Sequence, residues 1–185
     1  MTTPGLVVWL DAICMPGESG KSEPLEIAMV VCSGPEMHEL AAITLPVDHE
    51  REVVQSWYSQ LPAKEQQRHR KSGLMQEVVS NGLMVPMVME ALAQTLDRVA
   101  EPGRVTLAAE RPERMRSMVP RLVRGFGRSE YDLSLTALRQ WGLLLPDAPD
   151  PTDWGPLSKP ARALDHCLGL VDEARQYLAL LGSGE

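Results

Sequence analysis

Two carboxylates stand where the sequence pattern permits chemistry. Asp11 follows the apolar run Leu6-Val7-Val8-Trp9-Leu10, at the C-terminal end of what reads as a buried strand. Open α/β sheets place ligand-binding groups at such strand ends. Asp165 lies beside Leu164, at the boundary of the apolar face of a C-terminal helix. Facing each other, two such acids would hold a divalent cation through oxygen ligands. Taken singly, an Asp after a strand is ordinarily a turn residue, and an acid flanking an apolar stripe is ordinarily solvated or ion-paired. His69 sits in the basic, non-periodic stretch Ala63 to Lys71, where an exposed surface imidazole is expected, and His38, His49 and His166 have no neighbouring constellation. The chain contains no Gly-rich phosphate loop, no G-x-S-x-G and no H-E-x-x-H.

The elements that must position these residues follow from periodicity. Short apolar runs rich in β-branched residues predict strands at Leu6 to Leu10, Pro24 to Ser33 and Glu39 to Val47. Their connections are too short to hold helices, so an antiparallel meander is expected. Val53, Val54, Trp57 and Leu61 then switch to helical spacing, from about Glu50 to Pro62. A short helix through Val79 and a longer one from Val85 to Val99 come next. A fourth strand is read at Gly103 to Ala109, a helix at about Glu113 to Arg124, a short strand at Tyr131 to Leu133 and a helix from Ser134 to Trp141. Leu144 to Pro160 is proline-rich and aperiodic, which reads as a long surface loop. Ala161 to Leu181 closes the chain as a helix whose apolar face carries Leu164, Cys167, Leu168, Val171, Ala174 and Leu178. The order β-β-β-α-α-β-α-β-α predicts an α/β domain: a mixed sheet of about five strands flanked by helices, with strands one, four and five parallel.

Composition limits the function. The chain has 185 residues, 44% of them hydrophobic, which suits one domain spanning residues 1–185. Aromatic content is 4%, so the core must be aliphatic, with ten methionines to fill its gaps. Eighteen basic against 25 acidic residues leave a charge of −7, which repels an extended nucleic-acid backbone. A pocket for a very short nucleotide needs few phosphate contacts and is not excluded. Cys14, Cys32 and Cys167 are odd in number and widely spaced, offering neither a disulfide framework nor a CxxC zinc site. A cytoplasmic or other reducing intracellular setting is expected. No apolar run is long enough to span a membrane, and no membrane partner is expected.

Several segments together resemble a known family. Val8-Trp9-Leu10-Asp11 followed by Met15, then Leu25-Glu26-Ile27-Ala28-Met29-Val30-Val31, then His69-Arg70-Lys71-Ser72-Gly73-Leu74, are similar to the W-x-D-x-E-M-T-G, I-I-E-I-A and H-x-x-S-G-L segments of oligoribonucleases, DEDD-type (DEDDh) 3′-to-5′ exonucleases. The likeness extends through Tyr131-Asp132-Leu133-Ser134-Leu135 to Ala163-Leu164-Asp165. It implies a ribonuclease-H-like fold, a homodimer, and two Mg²⁺ or Mn²⁺ ions held by four acids, with a histidine as general base.

Residue by residue, the implied chemistry is incomplete. The first acid matches Asp11 and the fourth Asp165, which would be the surviving metal ligands. The glutamate expected at position 13 is Ile13. The third acid falls on Arg111, with Glu110 and Glu113 as neighbouring substitutes. The general base would fall on Pro160 or Ala161, and His166, about 100° round the helix from Asp165, is a poor replacement. Pro16-Gly17 stands for the family's T-G, and Arg128-Ser129 for its Tyr-Arg pair. The resemblance assigns substrate contact to Trp9, Met15, His69, Ser72, Leu74 and Ser134.

The expectation is therefore a degenerate oligoribonuclease-like protein, catalytically impaired, with weak metal binding or none, that acts by binding a short RNA oligonucleotide, a nucleotide or a protein partner. The alternatives are a divergent active exoribonuclease on short RNA, and a scaffold subunit that uses the fold, or the 144–160 loop, as an interaction surface.

Overall fold

The computed structural model describes residues 5–17, 22–34, 36–99, 105–110, 112–118, 133–135, 137 and 162–182. Three strands come first: β1 (Leu6–Pro16), β2 (Ser22–Ser33) and β3 (His38–Pro46). Four helices follow, α1 (Arg51–Gln60), α2 (Ala63–Ser72), α3 (Leu74–Asn81) and α4 (Val85–Asp97). Then come β4 (Val105–Ala109), α5 (Pro112–Met118), the two-residue β5 (Leu133–Ser134) and α6 (Ala163–Gly182).

The five strands make one sheet in the order β3-β2-β1-β4-β5. β1, β2 and β3 pair antiparallel, while β1–β4 and β4–β5 are parallel. This is the mixed α/β sheet that the sequence predicts.

Alternation along the strands sorts the core into two layers. Val8 and Leu10 of β1, Ile27, Met29 and Val31 of β2, and Leu107 of β4 point to one face, where Val88, Leu92 and Leu96 of α4 cover them. Trp9, Ala28, Val30, Cys32 and Ala108 point to the other, beneath Ala163, Cys167, Leu170, Val171, Ala174 and Tyr177 of α6. A third cluster, Met15, Leu25, Val54, Leu74 and Val78, joins α1 and α3 to the ends of β1 and β2.

Two expectations need correction. β1 runs on to Pro16 instead of stopping at Leu10, so Asp11 lies within the strand and not in a turn; pairing with the long β2 carries it forward, with a register shift between Ile13 and Cys14. Residues 63–72, read as an aperiodic stretch, form α2, so four helices separate β3 from β4. α2 buries only His69, which leaves no apolar stripe to detect; it is built of good helix formers and holds a Glu65–Arg68 ion pair. Gly73 ends α2 and opens α3 at φ +72°, a left-handed conformation that glycine adopts without a Cβ penalty. The 144–160 loop, most of the helix read at Ser134 to Trp141 and the end of the helix read to Arg124 lie outside the described residues.

One polar knot fixes α6 on the sheet. Glu26, fully buried in β2, accepts hydrogen bonds from Arg162 Nε and from the Ala163 N–H, both at 2.7 Å. It thus caps the first turn of α6 across the sheet surface. Arg162 also pairs with Glu77 of α3 at 2.7 Å and donates to the Ser72 carbonyl at 3.3 Å. Burial works against the Arg162 cation, but the hydrogen bond and charge of Glu26, then Glu77, more than offset this and hold its pKa above the usual arginine value. Removing one partner of a buried pair costs about 3–5 kcal/mol, whereas an exposed pair is worth about 0–1 kcal/mol. Urea unfolding of Glu26→Ala is expected to show a loss of about 3 kcal/mol, and of Glu77→Ala, whose side chain is 36% exposed, under about 1 kcal/mol. Equal losses would mean that the knot does not depend on Glu26.

Candidate functional site

The face of β1 that looks at α6 carries Trp9, Asp11 and Ile13, and α6 answers with His166. His166 Nδ1–H donates to Asp11 Oδ2 at 2.7 Å, and both side chains are mostly buried. A carboxylate can only accept, so the Nδ1 tautomer of the ring follows from its partner.

Asp165 is exposed, on the side of α6 away from the sheet. This corrects its expected place opposite Asp11. The reason lies in the helix: the buried stripe runs through Ala163, Cys167, Leu170, Ala174 and Tyr177. At about 100° per residue, position 165 is roughly opposite that stripe while 166 flanks it. Leu164, Leu168 and Leu178, expected on the apolar face, are only partly buried at its margin, so the face is turned toward Ala163 and Leu170.

The remaining candidates are dispersed. Glu113 is exposed in the first turn of α5, and Glu110 follows the end of β4 with its side chain partly exposed. Trp9, Met15 and Leu74 are buried in the core layers, so in this conformation they pack and present no surface to a ligand. His69 is also buried, at 3% exposure, against the expectation of a surface imidazole. α2 turns it inward against the Trp57 ring, with centroids 5.7 Å apart. Burial, then the charge of Arg68, pushes its pKa below 6.5, and its Nδ1 is buried without a hydrogen-bond partner. Ser72 Oγ donates to the His69 carbonyl at 3.0 Å, and Ser134 Oγ to the Glu110 carbonyl at 3.4 Å, so both serine hydroxyls brace backbone.

Cys32 and Cys167 do not supply a nucleophile. Burial pushes the Cys32 thiol up to about 11, and burial followed by the nearby Asp11 charge pushes Cys167 well above 9.

A two-ion centre does not fit these residues. Ile13 offers no ligand atom, His166 occupies an Asp11 oxygen, and Asp165 faces away. Among the described residues, no group of three His, Cys, Asp or Glu side chains converges as a metal site requires.

No family model matches the sequence, and no curated protein matches it. Solved structures do. The nuclease domain of 3′hExo, a DEDDh family member solved bound to rAMP, is 14% identical over 99% of this chain and 94% of that one, with a TM-score of 0.61. Cell-death related nuclease 4 (CRN-4) is 11% identical, covering 98% of this chain and 65% of that one, TM-score 0.61. Exonuclease I from Methylocaldum szegediense is 15% identical, covering 98% and 41%, TM-score 0.55. The chain has the fold of DEDDh exonuclease domains. Among the described residues, no helix is long and apolar enough to cross a membrane.

Two outcomes are expected. The unfolded chain binds a proton at His69 more readily than the folded protein does, so stability falls as pH drops through 6.5 and levels off below the folded pKa. His69→Phe should flatten part of that slope in urea titrations at stepped pH. Separately, Ile13→Glu combined with His166→Asp sets acids around Asp11, and Mn²⁺ affinity by calorimetry should rise at least about tenfold over the parent. An unchanged affinity would mean that these positions do not converge.

Proposed function

We propose that this chain is a degenerate, oligoribonuclease-like exonuclease-fold protein that binds short nucleotides without hydrolysing them. The hydrogen bond between His166 and Asp11 carries this reading. It takes up a carboxylate oxygen that a metal would need, and it sets an imidazole, neutral or cationic, where a dication would require another negative ligand. Ile13 removes a further ligand from the same strand face, and Pro160 and Ala161 leave the expected base positions without a titratable group. General-base catalysis alone is worth about 10²–10⁴-fold, so the combined losses are disabling.

Nucleotide binding is supported by the fold, since the similar nuclease domain of 3′hExo was solved with rAMP bound. The acidic chain, at −7, favours a short ligand over a long one.

The test is incubation with an end-labelled RNA dinucleotide and Mg²⁺ or Mn²⁺. No turnover above background is expected, and Asp11→Ala should change nothing. Metal-dependent turnover that Asp11→Ala abolishes would overturn the proposal in favour of a divergent active exoribonuclease. Calorimetry with mono- and dinucleotides should detect binding; its absence would leave the interaction scaffold as the function.

A further inference from the structure

A pocket of about 420 Å³ opens between α1, α2 and α3. Small-molecule sites run from roughly 300 to 1,000 Å³, so this one would hold a ligand of about mononucleotide size or less. None of its lining residues comes from β1, β2 or α6, the elements that carry Asp11, Glu26 and His166. It is a separate place in the molecule.

Its lining combines apolar and positively charged side chains. Val54, Met75 and Val79 give it an apolar floor, and the Tyr58 and His69 rings add flat walls. Arg51 and Arg70 stand exposed at its edge, and no lining residue is acidic. In a chain of net charge −7, that concentrates positive charge at one opening.

The two guanidiniums are also uncommitted. Arg68, Arg162 and Arg175 each hold a carboxylate, whereas neither Arg51 nor Arg70 has an ion-pair or hydrogen-bond partner among the described residues. A guanidinium suits phosphate through its planar set of donors, and an apolar floor below two of them suits a body attached to that phosphate. The buried, unpartnered His69 Nδ1 in the wall fits a site built for something beyond close packing.

We propose that this pocket binds a small phosphomonoester with an apolar or aromatic body, at a site distinct from the Asp11–His166 pair. Met75 lines the pocket and Met15, buried near the end of β1, does not, which gives the experiment an internal control. The full chain labelled with ¹³C at its methionine methyls would be titrated with phenyl phosphate and, separately, with adenosine 5′-monophosphate, with phenol and adenosine as uncharged controls. The Met75 methyl, assigned through Met75→Leu, should shift on adding a phosphate while Met15 stays put. The double variant Arg51→Gln, Arg70→Gln should weaken binding at least about tenfold, because charge-assisted hydrogen bonds are lost. Both side chains are exposed, so the variant should fold as the parent does.

Response to both phosphates, or to one alone, supports the site and says whether a nucleoside body is needed. The proposal is overturned if neither phosphate moves Met75, if the uncharged controls bind as well, or if the double arginine variant binds unchanged. These outcomes do not depend on the hydrolysis assay, since Asp11 and His166 remain intact in every variant used here.

Discussion

Glu26 lies in the middle of the sheet with no exposure, and its carboxylate is divided between a guanidinium and the first free N–H of the C-terminal helix. A buried carboxylate without such partners would cost several kcal/mol, so the arrangement is stable only when Arg162 and Ala163 sit where they do. That condition sets the starting point and rotation of α6 over β1 and β2. Arg162 carries the constraint onward to Ser72 and Glu77, tying the α2–α3 junction to the same spot. The sheet, the helical insertion and the final helix therefore share one electrostatic junction.

The candidate site is a consequence of that rotation. With Ala163 pinned and the apolar stripe seated on Trp9, Ala28 and Val30, the residue that meets Asp11 is His166, while Asp165 looks outward. β1 and the last helix thus meet at an acid and an imidazole. The neighbouring thiols, held neutral by burial, add no nucleophile. The result is a polar contact in a largely apolar seam, which ties α6 to β1.

Charge is distributed to the same effect. Acids outnumber bases by 25 to 18, yet the acids near the core are engaged: Glu26 with Arg162, Glu77 with Arg162, and Asp11 with His166. Two exposed arginines without acidic partners among the described residues, Arg51 and Arg70, line the pocket between α1, α2 and α3. In an acidic molecule the long-range field opposes a long nucleic acid, whereas a small ligand meets chiefly the local charge of the pocket.

The antiparallel meander, the parallel arrangement of strands one, four and five and the long C-terminal helix were legible in the sequence, because alternation and helical period are local consequences of which side chains must be buried. Asp11 was legible as a polar residue interrupting an apolar strand, and its neighbour on the same strand face, Ile13, as a residue without a ligand atom, from residue identities alone. α2 was not legible, since a helix that buries one residue leaves no stripe; for the same reason His69 read as a surface residue. Nor was the exchange of Asp165 for His166, because a helix's rotation depends on what its neighbours demand. A shift of one residue, about 100°, decides which of two adjacent polar side chains faces the sheet, and only the pinning of Ala163 by a carboxylate 137 positions earlier in the chain fixes that angle. The sequence alone determined which residue types stand at positions 11, 13, 165 and 166; the tertiary structure decided that Asp11 meets His166 while Asp165 faces outward.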